Sequence, residues 1–129
     1  IIHEIAHATE NNHQEFIYGP GALQREFVAK RTRLSQLLSQ KYDVPSDFNF
    51  NFDYDRSIDE FLYQVVGYDV LNQACTNIFP SGYAATSVSE YWAKGFEELF
   101  IGDRNVLKEM CPVLFRILAL MLKEFEDEN

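Results

Sequence analysis

The sequence has few cysteines, few basic residues and no long apolar run, and each shortage excludes a class of protein. Two cysteines, Cys75 and Cys111, cannot build a disulfide framework, although they can form one disulfide or remain buried thiols. Eleven Lys and Arg against 20 Asp and Glu give a net charge of −9, which argues against nonspecific binding to nucleic acid. The apolar stretch from Val113 to Leu122 is interrupted by Arg116, so no segment has the roughly 20 apolar residues of a membrane span.

The remaining composition is that of a single folded domain. A chain of 129 residues with 47% apolar residues can bury one core, and no repeat or linker divides it. Apolar residues at helical spacing, together with capping and breaking residues, predict a mainly α domain over residues 1–129. The predicted helices cover residues 1–12, 22–41, 57–73, 88–100 and 103–111, and a last helix begins at Pro112 and ends in the acidic tail from Glu124 to Glu128.

Two surface features are predicted from the pattern of polar and aromatic residues. Arg25, Lys30, Arg31 and Arg33 fall on one side of the second helix, where we expect a solvated basic face. Aromatic and polar residues alternate over residues 48–54, which predicts an extended segment that lays its aromatic rings on the core. The functional alternative for this segment is an aromatic wall that binds a peptide.

The third helix contains two local signals. Ser57-x-x-Glu60 has the pattern of a capping box, which predicts that Ser57 begins the helix. Gly67 lies inside the same helix, where we expect it to allow the close approach of another element.

The most specific motif stands at the start of the chain, where His3, Glu4 and His7 form H-E-x-x-H. Residues four apart lie on one face of a helix, so two imidazoles can reach one Zn²⁺ at about 2.0–2.1 Å. Glu4 points about 100° away, where its carboxylate can reach a water rather than the metal, as a general base must. The alternative is an amphipathic helix with two surface histidines.

A catalytic zinc usually has three protein ligands, and His13 is the first candidate for the third. His3, His7 and His13 have the spacing of the metzincins, in which a glycine turns the chain three residues after the second histidine. Glu10 occupies that position here, and a continuing helix would direct His13 about 120° away from the metal face. These features argue against His13, which is kept as the alternative third ligand.

Glu90 is the second candidate for the third ligand. Its alternative is structural, because Ser87-x-x-Glu90 is a capping-box pattern in which the carboxylate bonds only to the Ser87 backbone. Taken alone, the residues favour the capping interpretation over a metal ligand.

The chain resembles the catalytic domain of anthrax lethal factor and its relatives, which include the clostridial Pro-Pro endopeptidases. That family has an H-E-x-x-H helix that continues through an alanine to an acidic residue, as residues 7–10 do here. A tyrosine then lies seven residues before a glutamate that opens an aromatic helix. The matching residues of this chain are Tyr83, Glu90, Tyr91, Trp92, Ala93 and Phe96. The similarity continues weakly into the last helix, and residues 22–80 carry little of it.

The resemblance implies a gluzincin, a zinc metalloendopeptidase with a glutamate as third ligand. His3, His7 and Glu90 would bind Zn²⁺, and Glu4 would act as the general base on the zinc-activated water. Tyr83 would donate a hydrogen bond to the oxyanion.

The resemblance also implies a setting for the enzyme. Glu10 would accept a ring N–H from a ligand histidine, unless it is merely a solvated residue. The substrate would be a peptide or protein, and the relatives imply a secreted, toxin-like protein. Because only two residues precede His3, we expect the chain to be part of a longer protein whose upstream zincin subdomain binds the substrate. The rival from another class is a catalytically silent helical toxin or binding domain.

Overall fold

The structure, a computed structural model, describes the backbone of residues 1–128 and the side chains of residues 1–124, so most side chains of the predicted acidic tail lie outside it. It is mainly α, as the sequence predicts, and the described residues contain no β-strand. The helices are α1 (Ile2–Asn12), α2 (Gln14–Tyr18), α3 (Ala22–Leu38), α4 (Arg56–Glu60), α5 (Tyr68–Ala74), α6 (Val88–Ile101), α7 (Arg104–Met110) and α8 (Pro112–Glu128), with a π-helical turn at Phe61–Val66 and a 3-10 turn at Tyr83–Ala85.

Most helix bounds agree with the periodicity, and the exceptions have local causes. The short helix α2 is absent from the prediction, because five residues give too little periodicity to detect. The predicted helix 57–73 is wrong as one element, since α4, the π turn and α5 replace it. No helix within residues 1–128 combines the length and the apolar composition that crossing a membrane requires.

Helices α1 and α6 pack against each other at the centre of the fold. Ser87 begins α6, because its hydroxyl accepts a hydrogen bond from the backbone N–H of Glu90 at 3.2 Å. Trp92 on the second turn of α6 is fully buried, and its indole N–H donates to the carbonyl of Ala6 at 3.1 Å. This bond and the packing around it fix the first turns of α1 beside the first turns of α6.

The basic face predicted on α3 is wrong for two of its four residues. Arg25 and Arg33 are exposed, but Lys30 and Arg31 are buried. The Lys30 ammonium donates to the carbonyls of Ile78 and Met110, both at 2.7 Å, and burial lowers its pKa. A pattern of charges cannot reveal such a site, because its acceptors are backbone carbonyls from distant parts of the chain.

Arg31 is fully buried and fixes the segment that carries Tyr83. Its guanidinium donates to the carbonyls of Ala85 at 2.7 Å and Thr86 at 3.0 Å, directly after the tyrosine. It also donates to the carbonyl of Phe48 at 2.5 Å and lies over that ring, 4.3 Å from its centroid. Burial lowers the pKa of Arg31 to about 10, so the side chain remains charged at neutral pH.

The aromatic residues at 48–54 do not form the predicted extended segment. The chain makes turns there, including a bond from the Phe48 N–H to the carbonyl of Pro45 at 3.1 Å. Phe48 is buried and Phe52 is half-buried, whereas Phe50 and Tyr54 are each 66% exposed. In this segment of turns, therefore, some of the alternating aromatic rings belong to the core and others to the surface, although no strand is formed.

Both cysteines are buried free thiols, which decides between the two states that the sequence allows. Burial raises the pKa of Cys75 to about 12, and it also raises the pKa of Cys111. Both side chains therefore remain protonated members of the core.

Two local predictions for the region of α4 and α5 are wrong. The residue that begins α4 is Asp55 rather than Ser57, because the Asp55 carboxylate accepts the N–H of Ile58 at 3.1 Å. At Gly67 no element approaches closely, since an added Cβ would meet no atom within 4 Å. The glycine is required by its backbone, with φ of 83° and ψ of 147°, a region that is nearly exclusive to glycine.

We expect Gly67→Ala to lower the free energy of unfolding by about 1–3 kcal/mol through backbone strain alone. The measurement is urea unfolding monitored by circular dichroism at constant m-value. Gly19→Ala is not a suitable control, because its Cβ would clash with the Glu15 carbonyl. The control is Ala119→Gly on α8, which measures the ordinary cost of about 1 kcal/mol of a glycine inside a helix. An unchanged stability in Gly67→Ala would show that the chain tolerates the conformation without glycine.

Candidate metal centre

Three side chains converge where the first turns of α1 and α6 meet. His3 and His7 lie four residues apart on α1, and their Nε2 atoms are 3.1 Å from each other. Glu90 on the first turn of α6 places Oε2 at 3.3 Å from His3 Nε2 and Oε1 at 3.2 Å from His7 Nε2. These three residues form a group whose ligand atoms are all mutually close, and we call this group the triad.

The triad fits a tetrahedral zinc ion. Bonds of about 2.0–2.1 Å at tetrahedral angles place ligand atoms about 3.3–3.4 Å apart. The two Nε2 atoms are 3.1 Å apart, and each of them has a different Glu90 oxygen within 3.2–3.3 Å, so the cluster is compatible with such an ion. Three protein ligands leave the fourth position for a water or a substrate, as in catalytic rather than structural zinc sites. The His3 and His7 side chains are 41% and 30% exposed, so this position opens to solvent.

The electrostatics of the triad also favour a positive charge at its centre. The Glu90 carboxylate is only 18% exposed, and its Oε2 is buried without a hydrogen-bond partner. A buried carboxylate oxygen in this state is costly unless a cation compensates it. With the imidazoles neutral, the converging atoms are all lone-pair donors, and a bound divalent cation satisfies them together.

Two further carboxylates orient the imidazoles. The Nδ1 of His3 lies 2.8 Å from Glu97 Oε1, and the Nδ1 of His7 lies 3.0 Å from Glu10 Oε1. A carboxylate can only accept, so each Nδ1 carries the proton and each Nε2 presents its lone pair to the centre of the triad. Carboxylate–histidine pairs of this kind fix the tautomer and raise the basicity of metal ligands.

Glu10 is buried and contacts the ring N–H of His7, as the family resemblance implied. The residue is 6% exposed, and its carboxylate also accepts from the Ser89 hydroxyl at 2.8 Å and from the Tyr18 hydroxyl. Burial raises the pKa of Tyr18, and the hydrogen bond to Glu10 raises it further, so the phenol remains a donor. Sequence reasoning missed Ser89 and Tyr18, because neither belongs to a recognisable motif.

Glu97 was also missed, although a signal for it exists. It follows Glu90 by seven residues, or about two helical turns, so both carboxylates lie on the face of α6 that meets α1. Applying the helical period to α6 from Glu90 onwards would have found it.

We expect Glu97→Ala to lower the affinity for zinc by about 10–100-fold, because His3 then loses the acceptor that fixes its tautomer. The matched control is Glu98→Ala, since Glu98 lies next in the sequence and pairs with Lys94, as Glu97 also does, but it does not belong to the pair with His3. Competition against a chromophoric chelator measures both affinities. Equal affinities in the two variants would contradict a role for Glu97 in orienting His3.

The two residues expected to act on the substrate are Glu4, which follows His3 in the sequence, and Tyr83, whose ring lies near that of His3. Glu4 is exposed in the first turn of α1, between the two histidines in sequence. Tyr83 is 49% exposed, and its ring centroid lies 6.4 Å from that of His3. Burial raises the pKa of Tyr83, and the negative charge of Glu90 raises it further, so the phenol keeps its proton at neutral pH.

His13, the alternative ligand, does not belong to the triad. Helix α1 ends just before it, and its ring Nδ1 donates to the carbonyl of Thr9 at 2.9 Å. Only one of the two bonds of the capping box is observed. The Ser87 hydroxyl caps α6, but the Glu90 carboxylate faces the histidines.

Comparison of the chain with protein-family models, with curated proteins and with solved structures found no match. The resemblance to the lethal factor family therefore stays a prediction, which depends on its motifs alone.

Proposed function

We propose that the chain is the catalytic part of a zinc metallopeptidase that hydrolyses peptide bonds. The observation that carries the proposal is the convergence of His3, His7 and Glu90 at 3.1–3.3 Å around a point open to solvent. H-E-x-x-H at the start of α1 and Tyr83 beside His3 support the same reaction.

A zinc ion in this site would supply a Lewis acid that polarises the peptide carbonyl and lowers the pKa of water. The chain's own residues have distinct tasks. His3 and His7 keep their Nε2 lone pairs directed inward, because Glu97 and Glu10 hold the Nδ1 protons. Glu90 contributes a negative charge to the centre.

Glu4 is the proposed general base. Its carboxylate would take a proton from the attacking water and later give that proton to the nitrogen of the departing amine. Its exposure fits this role, since a base that exchanges protons with water and substrate has to remain accessible.

Tyr83 is the proposed oxyanion donor. Its hydroxyl would donate a hydrogen bond to the carbonyl oxygen as negative charge develops there. The raised pKa keeps the proton available, and the bonds from Arg31 to the carbonyls that follow Tyr83 fix the turn that carries it. A fixed donor needs little reorganisation during the reaction.

The test is to load the purified protein with zinc and digest a pool of unstructured peptides, with product termini identified by mass spectrometry. We expect new peptide termini that disappear when a chelator removes the zinc and return when zinc is restored. One zinc per chain without hydrolysis would overturn the peptidase, and the absence of bound zinc would favour the catalytically silent domain.

A further inference from the structure

Three tyrosine rings form a row that begins beside the triad. The ring centroids of His3 and Tyr83 are 6.4 Å apart, and those of Tyr83 and Tyr68 are also 6.4 Å apart. The centroids of Tyr68 and Tyr63 are 5.4 Å apart. We call Tyr63, Tyr68 and Tyr83 the tyrosine row.

The backbone around the row is unusual, and it brings the rings together. Tyr63 lies in the π-helical turn, a rare conformation that is frequent at functional sites, and Leu62 and Val66 anchor this turn in the core. The positive φ of Gly67 then redirects the chain into α5, whose first residue is Tyr68. Without this change of direction the rings of Tyr63 and Tyr68 would not meet.

The row presents aromatic surface to solvent. Tyr63 is 59% exposed and Tyr83 is 49% exposed, while Tyr68 is half-buried. Contiguous exposed aromatic groups mark binding surfaces. Tyrosine suits such a surface, because its ring offers a large apolar contact at a low cost in side-chain entropy and its hydroxyl can bond to a peptide group.

We propose that the tyrosine row binds an extended segment of the peptide substrate on one side of the scissile bond and selects apolar side chains there. This inference rests on the proposed function, because the row is continuous with the triad through His3. From His3 the row reaches at most about 18 Å, which an extended peptide spans with about five residues. The substrate is then an unfolded stretch of chain rather than a dipeptide.

The test uses nested peptides that share one cleavage site and grow from one to six residues on either side of it, with leucine or serine at the added positions. In the parent protein, KM should fall as leucine residues are added on one side only. Tyr63→Ala should raise KM by about two- to tenfold for the long leucine peptides, with kcat unchanged, and should leave the short peptides unaffected. Tyr63→Phe, which keeps the ring, should behave as the parent does.

The matched control is Phe100→Ala, which removes a 47% exposed ring from the last turn of α6, ten residues beyond Glu90. It should leave KM unchanged for every peptide. Fluorescence anisotropy of a labelled long peptide gives a second readout, in which Tyr63→Ala should weaken binding by the same factor.

The possible outcomes separate the two proposals. If the protein hydrolyses peptides but Tyr63→Ala changes KM equally at every peptide length, the assignment of the tyrosine row is overturned. The same holds if Tyr63→Ala leaves KM unchanged for all peptides. Length-dependent peptide binding without hydrolysis would support the row and overturn the peptidase.

Discussion

Glu90→Ala is expected to lower the affinity for zinc by more than about 100-fold and to abolish hydrolysis. Removing a carboxylate that only orients a ligand histidine already lowers the affinity for zinc by about 10–100-fold. Glu90 is a proposed ligand itself, and it also supplies the negative charge of the triad. Metal analysis after gel filtration gives the stoichiometry, and competition with a chelator gives the affinity. His13→Ala is the control and should retain one zinc per chain.

Thermal unfolding provides an independent readout of the same variant. A ligand that binds only the folded state at 100 times its Kd stabilises that state by about 2.7 kcal/mol, so zinc should raise the Tm of the parent and of His13→Ala. It should leave the Tm of Glu90→Ala nearly unchanged. If His13→Ala lost the metal and Glu90→Ala kept it, the metzincin-type arrangement would replace the one proposed for this site.

Glu4→Gln is expected to reduce kcat by about 10²–10⁴-fold while zinc remains bound. The substitution keeps the shape of the side chain and removes its ability to take a proton, which is the contribution that general bases make. Glu4 lies outside the triad. We therefore expect Glu4→Gln to change the affinity for zinc less than Glu97→Ala does. Cleavage of a peptide found in the digest measures kcat, and metal analysis runs in parallel.

Glu15→Gln on α2 is the control for Glu4→Gln, since Glu15 is also an exposed carboxylate in the first turn of a helix. It should cut peptides at the parent rate. A Glu4→Gln protein that cut as fast as the parent would show that another group accepts the proton.

The parts of the site that the sequence predicts are those that local geometry determines. His3 and His7 meet because a helical turn brings residues four apart onto one face. Ser87 caps α6 as its pattern indicates, since capping depends on neighbouring residues. The position of Glu90 opposite the histidines needs the packing of α6 on α1, and only the family resemblance suggested it.

The parts that the sequence does not predict depend on contacts between distant segments. Lys30 and Arg31 look like surface residues, yet they are buried because carbonyls from three other segments surround them. Glu97 reaches His3 from 94 positions away. The π turn before Gly67 has no sequence pattern distinct from that of an ordinary helix.

X-ray absorption at the zinc edge on the zinc-loaded protein tests the central claim most directly. We expect one zinc per chain in a four-coordinate shell, with two imidazole nitrogens at about 2.0–2.1 Å and carboxylate and water oxygens at about 2.0–2.2 Å. In Glu90→Ala this spectrum should be lost. A shell that contains sulfur at about 2.3 Å, or a spectrum that Glu90→Ala leaves unchanged, would contradict zinc binding by His3, His7 and Glu90.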